Sequence, residues 1–278
     1  MQQLGRHHRA ALSRPRDEVS GGAQGDPIAL TIALPARAKL NLDLEVLGRT
    51  ADGFHELRTT FQAIDLHDLL EIDRADETEL TTSGLEISDH DNSVLKAHEA
   101  LEQQMKRKLP ARIHLHKRIP PGSGMGGASS DAAATLRALK TMFALEIDLR
   151  PVAEELGSDV PFFLKGGRAR AQGRGEQLTQ LTDEHVWFAI AWPGIELATG
   201  DVYRAWDEVK GEGPNHLRKA AEHVEPRLKE FAQRLGEGWR MTGSGSAFFK
   251  RTETPQQARE SIGDLDVWTT VARAVAIW

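Results

Sequence analysis

Four glycines crowd into six residues at Gly122, Gly124, Gly126 and Gly127. They belong to the run Pro120, Pro121, Gly122, Ser123, Gly124, Met125, Gly126, Gly127, Ala128, Ser129, Ser130, and Ala-rich, helix-forming sequence follows from Asp131. Glycine lets backbone N–H groups come close to a ligand and point the same way. A helix starting just behind adds unpaired donors and the positive end of a dipole. Loop and helix together make a cradle for phosphate. This is not a Walker A loop, because Ala128 stands where that loop carries its lysine. A triphosphate held here needs a cation from elsewhere in the fold. The same run also reads Gly122-x-Gly124-x-x-Gly127, a dinucleotide fingerprint, with Asp148 about 20 residues on. A dinucleotide turn follows its strand almost at once, whereas Lys117, Arg118, Ile119, Pro120 and Pro121 intervene here. Ser129 and Ser130 also suit phosphate and Mg²⁺ better than a pyrophosphate bridge. A triphosphate loop is the first reading; a dinucleotide loop and a structural linker are the alternatives.

Three further segments have residues that can do chemistry. Lys39 and Asn41 are two apart in a strand-like stretch and share a face; the bland reading is a solvated face. Asp159 lies between a Gly-Ser turn and the apolar run Val160, Pro161, Phe162, Phe163. A partly buried carboxylate there needs a cation or hydrogen bonds; the bland reading is a helix cap or turn residue. Met241 to Phe248 places Gly243, Ser244 and Gly245 in a second glycine turn, which alone is a hairpin.

The elements that must position these groups mix strands and helices without strict alternation, so an α+β class is expected. Strands are expected over 28–34, 39–46, 61–64, 69–72, 111–116, 186–192 and 267–277, with strand, glycine turn and strand over 240–250. A turn is expected at Ala51, Asp52 and Gly53. Helices are expected over 93–108, from the glycine loop to about 144, and over 151–156, 201–209, 217–235 and 255–262. His114 and His116 alternate onto one strand face and read as surface positions.

The chain has 278 residues, a formal charge of −6 and no cysteine. Disulfides, thiolate metal sites and cysteine nucleophiles are therefore excluded. The acidic balance argues against a nucleic-acid surface. No apolar run approaches the roughly 20 residues of a membrane span. Residues 1–26 carry Arg6, Arg9, Arg14 and Arg16 with few large apolar side chains. They read as a disordered tail, with an organellar transit peptide as the alternative.

Taken in order, the strand with Lys39, the Pro-x-Gly-x-Gly-x-Gly-Gly-x-Ser-Ser loop and the Gly-Ser-Gly turn resemble the GHMP kinase superfamily. The string Asp52, Gly53, Phe54, His55, Glu56, Leu57, with Gly157 to Phe163, is similar to the branch acting on a methylerythritol joined to cytidine diphosphate. The resemblance implies a two-domain fold: an ATP-binding domain over 27–180 and a ferredoxin-like α+β domain over 181–278, with the site in the cleft between them. It implies ATP-dependent phosphorylation of a tertiary 2-hydroxyl on a route to isoprenoids, with ATP and Mg²⁺ required. Lys39 and Asp159 match the catalytic pair, and residues 120–130 match the ATP loop, with Asn92 and Lys117 at the adenine nucleotide. Phe54, His55 and Tyr203 match the cytidine site, with Asn41, Gly243, Ser244 and Gly245 near the rest of the substrate. Ser130 is the expected Mg²⁺ ligand. Phe54 stands where a tyrosine is usual in the branch, and Ala128 where the loop has glycine. The partners implied are small molecules, with no nucleic acid and no membrane, in a bacterial cytoplasm; monomer or homodimer is left open. The competing readings are a homoserine- or mevalonate-type kinase, a nicotinamide-dependent oxidoreductase and a non-catalytic nucleotide-binding module.

Overall fold

The computed structural model describes residues 31–51, 53–86 and 92–278. The expected tail, the start of the 28–34 strand and Asp52 of the expected turn lie outside the described residues.

The chain begins with two long strands, β1 (Ile32–Arg49) and β2 (His55–Arg74), paired antiparallel from Ile32 opposite Ile72 to Arg49 opposite His55. Two short strands were expected over 61–64 and 69–72; one continuous strand runs through both. Asp65, Leu66, His67 and Asp68 keep their pairing or half-buried places between them, so no break is needed. The ladder slips between Arg37 and Lys39, between Asn41 and Asp43 and between Val46 and Gly48. Such bulges re-aim side chains, and two of them bracket Lys39 and Asn41.

β3 (Glu79–Gly84), α1 (Ser93–Met105), β4 (Ala111–Lys117), α2 (Gly127–Met142), α3 (Arg150–Leu156), α4 (Val160–Phe163), β5 (Arg168–Gln172) and β6 (Gln177–Gln180) follow. The first sheet has the order β3-β4-β2-β5-β6, with β1 also on β2. β3, β5 and β6 were not expected. β3 is almost wholly exposed, so it lacks the apolar alternation that marks a strand. In β5 only Ala169 and Ala171 point inward between arginines, which is a faint signal. α2 is buried over most of its surface, from Ser130 through Leu136, because alanine lets it sit close to α1 and the sheet.

The second sheet belongs to β7 (Trp187–Trp192), α5 (Thr199–Val209), α6 (Arg218–Val224), α7 (Arg227–Leu235), β8 (Arg240–Met241), β9 (Phe248–Thr252), α8 (Pro255–Ile262) and β10 (Trp268–Arg273). Its order, β10-β7-β9-β8, and its antiparallel pairs are those of a ferredoxin-like split βαβ unit. The single helix expected over 217–235 is two. Pro226 has no N–H for a helix interior and sits at the N-cap of α7.

The two sheets share a core. Ala38 and Leu40 of β1 pack with Phe188, Ile190 and Phe249 of the second sheet and with Met125 of the glycine loop. The chain end returns to the first sheet, where Ala274 bridges Ile64 and Ile277 bridges Gly166. One face of β1 is thus sealed between the sheets. The other carries Lys39 and Asn41.

Candidate active site

Lys39 is 4 % exposed, which rules out the solvated-face reading. Its Nζ lies 3.4 Å from Asp159 Oδ2 and donates to Asn41 Oδ1 at 2.6 Å. Phe61 from β2 lies beneath, its ring centre 5.2 Å from the ammonium. Asn41 is held in turn. Its Nδ2 donates to Thr59 Oγ1 at 2.8 Å and its backbone N–H to Thr242 Oγ1 at 2.9 Å. Asp159 precedes α4, yet its side chain makes no cap hydrogen bond. Asp159 is a turn residue at the N-cap position, as the bland reading has it, but its carboxylate faces Lys39 rather than the helix.

The glycine loop adopts the cradle geometry. Gly122, Gly124 and Gly126 all have positive φ. Gly126, at φ +75°, is the N-cap of α2, and no side chain caps the helix. A Cβ at Gly126 would sit 2.7 Å from the Phe163 ring and 3.2 Å from Lys39 Cε. Only glycine fits there, and the N-terminal donors of α2 face the cavity beside Lys39. A buried cation of β1, Lys39, thus stands beside a loop whose Ala128 offers none.

Lys117 is a second buried cation at this helix start. Its Nζ pairs with Asp68 and, at 2.7 Å, with Asp131. Asp68 also accepts from the backbone N–H of Arg118 at 2.5 Å and of Ile119 at 2.8 Å. Its carboxylate therefore fixes the approach to the loop. Burial alone would lower the Lys117 pKa, but Asp131 and Asp68 outweigh it and hold it above the ordinary lysine value. Two carboxylates share this one ammonium. Burial, reinforced by Asp68 and opposed by Lys117, pushes Asp131 up to about 8. Asn92, expected at the nucleotide, accepts from Val94 N–H and caps α1; Asn92 and Lys117 both line the cavity.

One cavity of about 510 Å³ joins these groups. Lys39, Asn41, Pro120, Pro121, Gly122, Ser123, Gly124, Gly126, Gly127, Ala128 and Ser129 line it, and so do Asp159, Tyr203, Gly243, Ser244 and Gly245. Met125 and Ser130 do not. Met125 points into the shared core, and its carbonyl accepts from Lys39 N–H. Ser130 is 2 % exposed behind the first turn of α2, so the serine facing the cavity is Ser129, one residue before the expected ligand.

At the other end of the cavity, Tyr203 on α5 stacks on His55, ring centres 5.0 Å apart and planes 28° apart. His55 Nε2 meets Asp207 Oδ1 at 2.8 Å. That contact, the first cause, holds the Asp207 carboxyl below its ordinary value. Burial and then Asp159 raise the Tyr203 hydroxyl. Phe54 is 53 % exposed, and Phe54 and His55 lie outside the cavity wall. His55 covers one face of Tyr203.

Asp68, Asp131, Asp207 and Arg174 were not singled out from the sequence as site residues. Asp207 had a readable signal, since it is four residues from Tyr203 and on the same helix face. Asp131 follows the serine pair directly. Asp68 and Arg174 depend on pairing between distant strands, which no local pattern reports.

Among the described residues no three acidic or imidazole groups gather to hold a metal. The donor set fits a magnesium that keeps phosphate and water oxygens and takes only one or two from protein. Ser129, Asp131 and Asp159 line the cavity with oxygens suited to that.

Residues 92–167 match the GHMP kinases N terminal domain. The chain is 34% identical over 260 residues to the 4-diphosphocytidyl-2-C-methyl-D-erythritol kinase of Shewanella piezotolerans, covering 85% of this chain and 90% of that one. A crystal structure of 4-(cytidine 5'-diphospho)-2C-methyl-D-erythritol kinase superposes with TM-score 0.75 at 35% identity, over 88% of this chain and 99% of that chain. Homoserine kinase from Cytophaga hutchinsonii superposes with TM-score 0.62 at 15% identity, over 94% and 98% of the two chains, which shows a shared fold alone. Identity at this level across nearly the whole length separates one branch from the others, and the chain belongs to the 4-diphosphocytidyl-2-C-methyl-D-erythritol kinase family of GHMP kinases.

Proposed function

We infer that this protein transfers the γ-phosphoryl group of ATP to the 2-hydroxyl of 4-diphosphocytidyl-2-C-methyl-D-erythritol. The products are the 2-phosphate and ADP, on the methylerythritol phosphate route to isoprenoids. The observation that carries the mechanism is the Lys39–Asp159 pair, set beside the uncapped start of α2 in one cavity.

The triphosphate lies along residues 120–129, its oxygens meeting loop N–H groups and the α2 dipole. Asp159 accepts the proton of the 2-hydroxyl as that oxygen bonds to the γ-phosphorus. The bond between the γ-phosphorus and the β–γ bridging oxygen breaks, and ADP leaves. Lys39 stands between acceptor and γ-phosphate and offsets charge that builds on the equatorial oxygens. Asn41 fixes the Lys39 ammonium, so positioning is done before the substrate arrives. Ser129, which lines the cavity where Ser130 does not, would offer a protein oxygen to a Mg²⁺ bound with ATP, and that ion would neutralise the phosphates further. Tyr203, His55 and Phe54 receive the cytosine, and Gly243, Ser244 and Gly245 close over the middle of the substrate. Because the reaction consumes ATP, the reading locates it in the cytoplasm.

The test is ADP release with ATP, Mg²⁺ and the cytidylylated substrate, beside mevalonate and homoserine. Turnover confined to the cytidylylated alcohol is expected; turnover confined to either control would reassign the substrate.

A further inference from the structure

We propose that His114 and His116 form a binding site for a divalent transition-metal ion, separate from the cavity of Lys39 and Asp159. The two residues alternate on β4, so both side chains leave the same face of the sheet. β3 runs parallel to β4, with Thr81 opposite His114 and Ser83 opposite His116. That face is open to an arriving ion: both histidines are half-buried, and Thr81 and Ser83 are exposed. None of these four residues lines the cavity.

The two imidazoles converge on one oxygen. His114 Nε2 and His116 Nδ1 each lie 2.9 Å from Ser83 Oγ. Ser83 has a single hydroxyl proton, so it donates to one ring and accepts from the other. The far side of His114 decides which. Thr81 Oγ1 lies 2.9 Å from His114 Nδ1, and the Thr81 hydroxyl donates to Ile113 O at 3.5 Å. Thr81 therefore accepts from His114 Nδ1–H, and His114 Nε2 keeps a lone pair aimed at Ser83. Metal-ligating histidines are held in this way, with one nitrogen tied to an oxygen and the other bare and oriented. His116 reaches the same point with Nδ1, whose proton Ser83 now accepts. Moving that proton through solvent to His116 Nε2 frees a second lone pair. Ser83 then turns aside, and the ion takes its place with two nitrogens at about 2.0–2.1 Å. Water fills the remaining positions, and Glu71, opposite His114 on β2, adds a carboxylate to the same sheet face.

Imidazole nitrogen suits Zn²⁺, Ni²⁺ and Cu²⁺, whereas Mg²⁺ takes oxygen. The ion is therefore of a different class from the one that accompanies ATP. It would brace the end of β4, where His116 is followed by Lys117 and Leu85 N–H donates to Lys117 O at 3.0 Å.

The experiment measures Zn²⁺ binding by calorimetry and Cu²⁺ ligation by electron paramagnetic resonance, on nucleotide-free full-length chain. All samples carry H7A/H8A, which removes the adjacent histidine pair near the start of the sequence. One bound ion is expected, with the splitting of two imidazole nitrogens in the Cu²⁺ spectrum. H114A and H116A should each lose that ion and the two-nitrogen pattern, with circular dichroism unchanged. T81V keeps both nitrogens but releases the His114 ring, so affinity should fall about 10- to 100-fold. S83A removes only the hydroxyl that the ion displaces, and should bind at least as tightly. Undiminished binding in H114A and H116A, or no bound ion in the H7A/H8A chain, would overturn the proposal.

Discussion

Lys39 Nζ stands 3.4 Å from Asp159 Oδ2 although one residue comes from the middle of β1 and the other from the turn before α4. The fold closes this contact by two devices. A ladder slip beside Lys39 turns it to the cavity face of β1, and a cap position that its own side chain does not use leaves Asp159 available. Buried apolar neighbours, Ala38 and Leu40 on one side and Val160 to Phe163 on the other, draw both residues inward. Their proximity is a product of the whole N-terminal sheet, and the phosphate cradle is built on the same strand through Lys39 N–H and the Met125 carbonyl.

Gly126 is the cradle position least able to change. A Cβ there meets the Phe163 ring and the Lys39 side chain in a backbone conformation that L residues avoid. G126A should cost about 1–3 kcal/mol of stability from strain and overpacking. Its ATP KM should also rise, because Lys39 is displaced. Chemical denaturation with ATP titration of the variant checks both; unchanged stability would mean the loop is looser than described.

The Tyr203–His55 stack predicts a split between two substitutions. Y203F keeps the ring and should leave KM for the cytidylylated substrate nearly unchanged. Y203A removes a stacking surface of about 0.5–1.5 kcal/mol, so KM should rise about two- to tenfold with ATP KM unaffected. Steady-state kinetics with each substrate varied in turn decides it.

Asp207 steadies His55 from α5. Its carboxyl is held below the ordinary value, so its contribution is present above the unfolded-state pKa and lost as pH falls through the lower folded value. D207N should raise KM for the cytidylylated substrate and weaken acid sensitivity of the fold. Melting curves at pH 3 to 6 for wild type and variant test the second effect; identical curves would remove it.

Asp131 works in the opposite direction. Its pKa is raised from 3.8 to about 8. Between those values the folded chain holds a proton that the unfolded chain has released. This contribution is complete below the unfolded pKa and fades as pH rises through about 8. Stability from this group therefore declines from weakly acidic to weakly alkaline pH. D131N, which mimics the protonated carboxyl, should flatten that slope between pH 5 and 9, read as urea midpoints. A variant as pH-dependent as wild type would assign the slope elsewhere.

The chemistry was easier to read in the sequence than the architecture around it. The glycine loop was legible from its own residue types, Lys39 and Asp159 only through the order of motifs that the resemblance supplies, and the cavity gathers them all. Helices with clear caps and periodicity, such as α8 after Thr254, were found at their bounds. What escaped was set by pairing at a distance. β3 gains its partners from β4 in parallel, and β5 shows inward alanines rather than large apolar residues. Asp68 is an ordinary acid in a strand until β4 brings Lys117 beside it. Ser129 and Ser130 are equivalent as text, and only the turn of α2 makes one face the cavity and buries the other.

The central claim is tested most directly by ADP release from K39A and D159N with ATP, Mg²⁺ and 4-diphosphocytidyl-2-C-methyl-D-erythritol, with circular dichroism on the same samples. Both variants should fold and bind ATP, yet lose turnover by about 10²-fold or more, the scale of a general base or charge-stabilising group. Folded variants that retain wild-type turnover would contradict the pairing of Lys39 and Asp159 as the catalytic groups.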